Sequence, residues 1–177
     1  CMRSGEKQRL HHAAVRQLTE LASSALWNPR TEQQVFAHPF GGMRADIVLQ
    51  GLREGPAQQV VAVDYTATTP FRDGNLQAAA ARPGGAAERA QVAKHEKYRA
   101  ALAATPGVKL VPIAQDLLGA FGSEASAHFR RLATARADRC GRSRNMEWAW
   151  LKRELQVGHW ARLGGLLLRS EPLPRAA

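Results

Sequence analysis

Cysteine is nearly absent from this chain: Cys1 and Cys140 are the two in 177 residues. Two cysteines cannot build a disulfide framework, so a reducing compartment is the expectation. No apolar run approaches the roughly 18 residues that a membrane span needs, and the longest near the C-terminus, residues 163–168, is far shorter. A signal peptide and internal repeats are both missing, which points to an intracellular, non-repetitive chain. Acidic residues are scarce beside basic ones, 15 against 25, giving a formal charge of +10 and a pI near 10.8. Such a balance favours a polyanionic partner, nucleic acid before membrane. Residues 1–120 hold 14 basic and 10 acidic side chains, and residues 121–177 hold 11 and 5. The excess is densest in the C-terminal third, which makes that third the expected electrostatic footprint.

Apolar residues make up 45% of the chain, enough for one domain with a core, or one domain and a small appendage. The first residue is Cys1 rather than Met, so a piece of a longer polypeptide is expected, ending in a frayed PLPRAA. Helical periodicity over residues 7–26 places Leu10, Leu18 and Leu21 on one stripe, stopped by Asn28-Pro29. A short strand is expected over residues 33–39, followed by an FGG hairpin turn at 40–42. Two strands follow, separated by a Gly55-Pro56 turn, and Pro70 ends the second. Residues 71–85 read as loop and 86–104 as helix, stopped by Pro106-Gly107. A fourth strand covers 108–114, a helix 123–137, and a helical tail 145–169 after the Cys140-Gly141 break. Trp148, Leu151, Leu155, Trp160, Leu163 and Leu167 are helically spaced in that tail, which reads first as a packing stripe and second as a base-stacking surface.

The second and third strands carry the chemistry. Asp46 lies in RADIVL and Asp64 in VVAVDYTATTP, each an acid in an apolar run. An unpaired carboxylate in a buried strand costs several kcal/mol or is driven neutral. A lone Asp of this kind most often caps or pairs locally. Two on adjacent strands suggest one shared compensator, a divalent cation. Alternation sets Val60, Ala62, Asp64 and Thr66 on one face and Val61, Val63 and Tyr65 on the other, with Asp46 and Val48 sharing a face of their own strand. If both acids face one side they converge, and hard oxygen ligands suit Mg2+ or Mn2+. On the next helix, Ala87, Ala90, Lys94, Tyr98 and Ala101 form a stripe of mostly small residues, which allows close approach to a sheet. Lys94 within it either reaches over the third strand or snorkels to solvent like Lys97 and Arg99.

The αβββαβ order, with these two acids, resembles the PD-(D/E)XK or restriction-like nuclease core. HAAVRQL, RADIVL with VVAVDYTATTP, and AERAQVAKHEKY with VKLVPIAQDLLGAFGSEA resemble more narrowly the restriction-like endonuclease domain of non-LTR retrotransposon reverse transcriptases. The resemblance covers roughly residues 10–135. It implies an α/β fold with a mixed central sheet and a helical C-terminal extension, divided as an upstream remnant (1–6), a nuclease core (7–137) and a basic extension (138–177). It implies a magnesium-dependent DNA endonuclease that nicks double-stranded DNA for target-primed reverse transcription. Its partners would be an upstream reverse transcriptase domain and element RNA, its location nuclear. Asp46 and Asp64 would hold the metal, Lys94 would act on the water, and Tyr98 would orient Lys94 or a phosphate, with Lys97 as substitute. The usual lysine two residues after the second acid is replaced by Thr66, the Pro before the first acid by Ala45, and a glutamate near the end of the first strand by His38. Glu20 and Glu32 are possible extra carboxylates. Arg44, Arg130, Arg131, Arg142, Arg144, Lys152 and Arg153 are the expected nucleic-acid contacts. Cys1 with His11-His12 could end an upstream zinc knuckle, but without a second Cys they cannot close a tetrahedral site, so zinc is not expected and His12 is assigned to packing or capping. The rival readings are a catalytically inactive nuclease fold that binds nucleic acid, and a structural module of a ribonucleoprotein.

Overall fold

Four strands and five α-helices alternate in a computed structural model that describes residues 4–54, 57–72 and 74–167. The expected Gly55-Pro56 turn and the Cys1 segment lie outside those residues. Helix α1 (Ser4–Ser24) buries Ala14, Leu18, Leu21 and Ala22, the three- and four-residue spacing seen in the sequence. Strands β1 (Pro29–Gln33), β2 (Ala45–Glu54) and β3 (Ala57–Thr68) form an antiparallel meander. The chain then crosses through α2 (Leu76–Ala81) and α3 (Gly85–Ala103) to β4 (Val108–Asp116), which pairs parallel with β3. The sheet is therefore mixed, in the order β1-β2-β3-β4. Helices α4 (Ser123–Cys140) and α5 (Arg144–Leu167) complete the chain.

Alternation along the strands divides the core in two. Ile47 and Leu49 of β2 and Val61, Val63 and Tyr65 of β3 join α1, α4 and α5 on one face. Val48 and Ala62 meet Tyr98 and Ala101 of α3 on the other. Each fully buried Leu or Ile on these faces contributes roughly 1.5–3 kcal/mol. Leu151 and Leu155 of α5 belong to the same cluster as Ile47, so the C-terminal helices pack on the sheet-bearing body.

Three expectations are corrected. The first strand runs over Pro29–Gln33 rather than 33–39. A proline is tolerated at the start of an edge strand, where its missing N–H breaks no ladder. Residues 34–39 instead form a loop that sends Phe36 into the α3-side core against Tyr98, ring centroids 5.3 Å apart. The FGG segment is a 3-10 turn, Phe40–Gly42, within this longer connection and not a tight hairpin. The expected loop over 71–85 contains α2, built on the alanine run. Gly84, with φ +79°, lets α2 turn into α3 beneath the Phe121 carbonyl, where a Cβ would stand 2.8 Å from the oxygen.

Candidate active site

The β2–β3 ladder ends at Ile47↔Val63, while β3 continues against β4 as far as Thr68↔Asp116. Beyond Val63 one edge of β3 thus lies open, and both acids sit at that opening. Asp46 fills part of the gap. Its Oδ2 accepts the Tyr65 backbone N–H at 2.7 Å, the role a β2 carbonyl would otherwise play. Its Oδ1 lies 3.1 Å from His11 Nε2, on α1. The hydrogen bond with Asp46 holds the His11 pKa above the usual imidazole value, against the opposing effect of burial; the charges of Asp46 and Asp64 add to the rise. The contact with Asp46 thus favours the protonated form of His11.

Asp64 projects toward α3, as strand parity requires, and is 5% exposed. Tyr98 donates its hydroxyl to Asp64 Oδ1 at 2.8 Å, and the same hydroxyl lies 3.4 Å from the Arg44 carbonyl oxygen. Lys94, one turn earlier on α3, forms an ion pair with Asp64 Oδ2. The Lys94 ammonium is thus the partner of Oδ2, as the Tyr98 hydroxyl is of Oδ1. Burial first, then the charge of Asp64, raises the Tyr98 pKa far above the usual phenol value, so Tyr98 stays neutral and donates. The charge of Asp46 also raises the Tyr98 pKa, and that of Asp64 the His11 pKa, so the two acids share one electrostatic site. They are approached differently, however: Asp46 from α1 and Asp64 from α3.

The other candidates are not drawn in. Glu20 is exposed nine residues beyond His11 on α1, about 14 Å along the axis at 1.5 Å per residue. Glu32 is exposed on edge strand β1, and His38 is exposed in the loop before β2. Lys97 lies over the outer face of Tyr98, Nζ 4.8 Å from the ring centroid. Thr66 is half-buried beside Lys94 on the cleft floor. Among the described residues, no three His, Cys, Asp or Glu side chains form a metal-binding group. The sequence reading missed His11, which it weighed only as a zinc-knuckle remnant. The available signal was spacing: His11, Ala14 and Leu18 share one stripe of α1.

Two clefts meet at this opening. One, of about 910 Å³, runs between α1 and the end of β3 and is lined by Lys7, His11, His12, Thr66, Arg72 and Lys94 among others. The other, of about 520 Å³, runs between the end of β3 and α3, past Arg72, Arg89, Lys94 and Lys97. Asp46 and Asp64 line neither directly; His11 and Lys94 stand between them and the clefts.

The basic residues expected to grip nucleic acid in the C-terminal third are engaged within the protein. Arg142 pairs with Glu147 at 3.3 Å, Arg144 with Asp138 at 3.3 Å and Arg153 with Glu154 at 3.5 Å. Arg130 and Lys152 lie 5.4 and 5.3 Å from the Trp148 ring centroid. Arg131 is also engaged. Arg44 is exposed immediately before β2. No described helix is long and apolar enough to cross a membrane. No protein-family model matches the chain, and no curated protein is similar to it.

Proposed function

We propose that this chain is a restriction-like, metal-dependent DNA endonuclease domain that nicks target DNA so that a neighbouring reverse transcriptase domain can prime on the freed end, with element RNA as a further partner and the nucleus as its place of action. One observation carries the proposal: Lys94 and Tyr98, a turn apart on α3, each hold one oxygen of the buried Asp64, and Asp46 lies across the opening of the next strand. Magnesium commonly takes only one or two carboxylates, with waters and phosphate oxygens completing its shell, so Asp46 and Asp64 fit as its protein ligands. When bound, such an ion would stabilise the charge developing on the phosphate and acidify its water.

The protein's own groups have separable roles. Tyr98 fixes one oxygen of Asp64 and leaves the other facing Lys94. The Tyr65 N–H and His11 hold the two oxygens of Asp46. Lys94, at the junction of both clefts, supplies the positive charge that orients a phosphate oxygen or the attacking water. The test is nicking of supercoiled plasmid with Mg2+ or Mn2+. Asp64→Ala should lower the rate by roughly 100- to 1,000-fold, the scale of losing a central electrostatic group, and leave DNA binding intact. Unchanged nicking by that variant would refute the proposal.

A second reading, an inactive nuclease-like fold that binds nucleic acid, is favoured by the present partners of the acids: His11 already holds Asp46, and Lys94 already pairs with Asp64. DNA binding by the wild-type chain with no nicking under either metal would select it.

A further inference from the structure

The two clefts share Thr66, Ala67, Thr68, Arg72 and Lys94, so they form one trough across the open edge of β3. The larger alone approaches the upper size of a small-molecule pocket, roughly 1,000 Å³, and the second extends it, which suits an extended ligand. Its lining includes Lys7, Arg72, Arg89, Lys94 and Lys97, and among the described residues it includes no Asp or Glu. Lys7, Arg72, Arg89 and Lys97 are exposed. Among the described residues none of these four pairs with a carboxylate. This differs from the α4–α5 region, where Arg142, Arg144 and Arg153 each pair with a carboxylate, Glu147, Asp138 and Glu154.

Uncompensated positive charge attracts phosphates because binding releases the counterions condensed on a nucleic acid. A cation paired with a carboxylate contributes less, since the two opposite charges largely cancel at a distance. Arg72 belongs to both clefts, with Lys7 on the α1 side and Arg89 and Lys97 on the α3 side. Positive groups therefore flank Lys94 on both sides.

We propose that the joined clefts are a single phosphate track for duplex DNA, gripped by Lys7, Arg72, Arg89 and Lys97 and crossing Lys94 near its middle, and that the C-terminal helices are not the grip. The identity of the polyanion as DNA rests on the nuclease reading above; the location of the track does not.

The test measures binding of a short fluorescein-labelled DNA duplex by anisotropy, in EDTA so that cleavage plays no part, across a salt series. The variant Lys7→Gln/Arg72→Gln/Arg89→Gln should bind about tenfold more weakly or worse, with the slope of log Kobs against log[salt] flattened by about 0.9 for each lost contact. The variant Arg142→Gln/Arg144→Gln/Arg153→Gln should keep its slope and bind within about twofold of wild type. The proposal is overturned if the first variant keeps the wild-type slope, or if the second loses more affinity than the first. Should the first variant lose its near-UV circular dichroism, Arg72→Gln and Arg89→Gln singly decide: a flattened slope in each supports the track, and an unchanged slope refutes it. Tighter binding of an RNA duplex through the same residues would refute the DNA assignment. Loss of slope in a chain that never nicks plasmid would leave the track standing and remove only the nuclease reading.

Discussion

The trough at the open edge of β3 and the α4–α5 pair are both rich in basic residues, yet their charges do different work. At the α4–α5 pair, Arg136 of α4 and Arg142 of the connecting turn converge on Glu147, which is 2% exposed, and Arg136 also lies 4.0 Å from the Trp150 ring centroid. Hydrogen bonding from Arg136 holds the Glu147 carboxyl below its usual range. In the trough, Lys7, Arg72, Arg89 and Lys97 have no carboxylate partner among the described residues, while the acids Asp46 and Asp64 are held behind His11 and Lys94. On the track proposed above, pairing, more than local charge density, would decide which basic region attracts a polyanion.

The largest effect expected in either region, apart from the loss of nicking in Asp64→Ala, is on stability in the C-terminal pair. Glu147→Ala should cost about 3 kcal/mol, because it strands the largely buried Arg136, and urea titration would read this. DNA affinity below the unfolding transition should be unchanged; a parallel loss of affinity would erase the contrast between the regions. Next comes Tyr98→Phe. It removes the only hydroxyl on Asp64 Oδ1 in the described residues and should cost about 2 kcal/mol, as expected for a bond to a charged acceptor. A stability equal to wild type would show that Tyr98 does not hold the acid.

A pH test of the trough is smaller in effect. His11 has a folded-state pKa raised above its unfolded value, so its contribution is fully present below about 6.5, the unfolded pKa, and fades as pH rises through the folded value. With chelator present, the stability difference between wild type and His11→Gln should therefore shrink from pH 6 toward alkaline pH, at roughly one imidazole's worth of titration. A difference that grew with pH would reverse the assignment of the proton to the His11–Asp46 pair. The smallest effect belongs to Arg153→Ala. Its partner Glu154 is a neighbour on the surface, so stability should move by less than about 0.5 kcal/mol, and a larger change would show that this pair is not a simple surface contact.

Much of the site was legible in the chain because it depends on short-range periodicity. The alternation through Val60–Thr66 correctly placed Asp64 opposite Val61, Val63 and Tyr65, and the four-residue step correctly set Lys94 and Tyr98 on one edge of α3. The position of β1 was misread because Val35 and Phe36 have the apolar pattern of a strand, but their burial is achieved from a loop. Nothing local distinguishes those two outcomes, since both bury the same side chains. His11 was missed for a related reason: its partner Asp46 lies 35 residues away.

The amino-acid sequence by itself determined the α/β alternation, the two faces of the sheet and the presence of acids in buried strands, because these follow from side-chain period and from the cost of burying charge. Only the tertiary structure decided that the β2–β3 ladder stops at Ile47↔Val63, that His11 and Lys94 cover the acids from opposite helices, and that Arg136, Arg142 and Arg144 find carboxylate partners around α4 and α5. Those outcomes depend on which groups meet across long separations in the chain, and charge, unlike hydrophobic period, is neutralised by whatever happens to lie beside it.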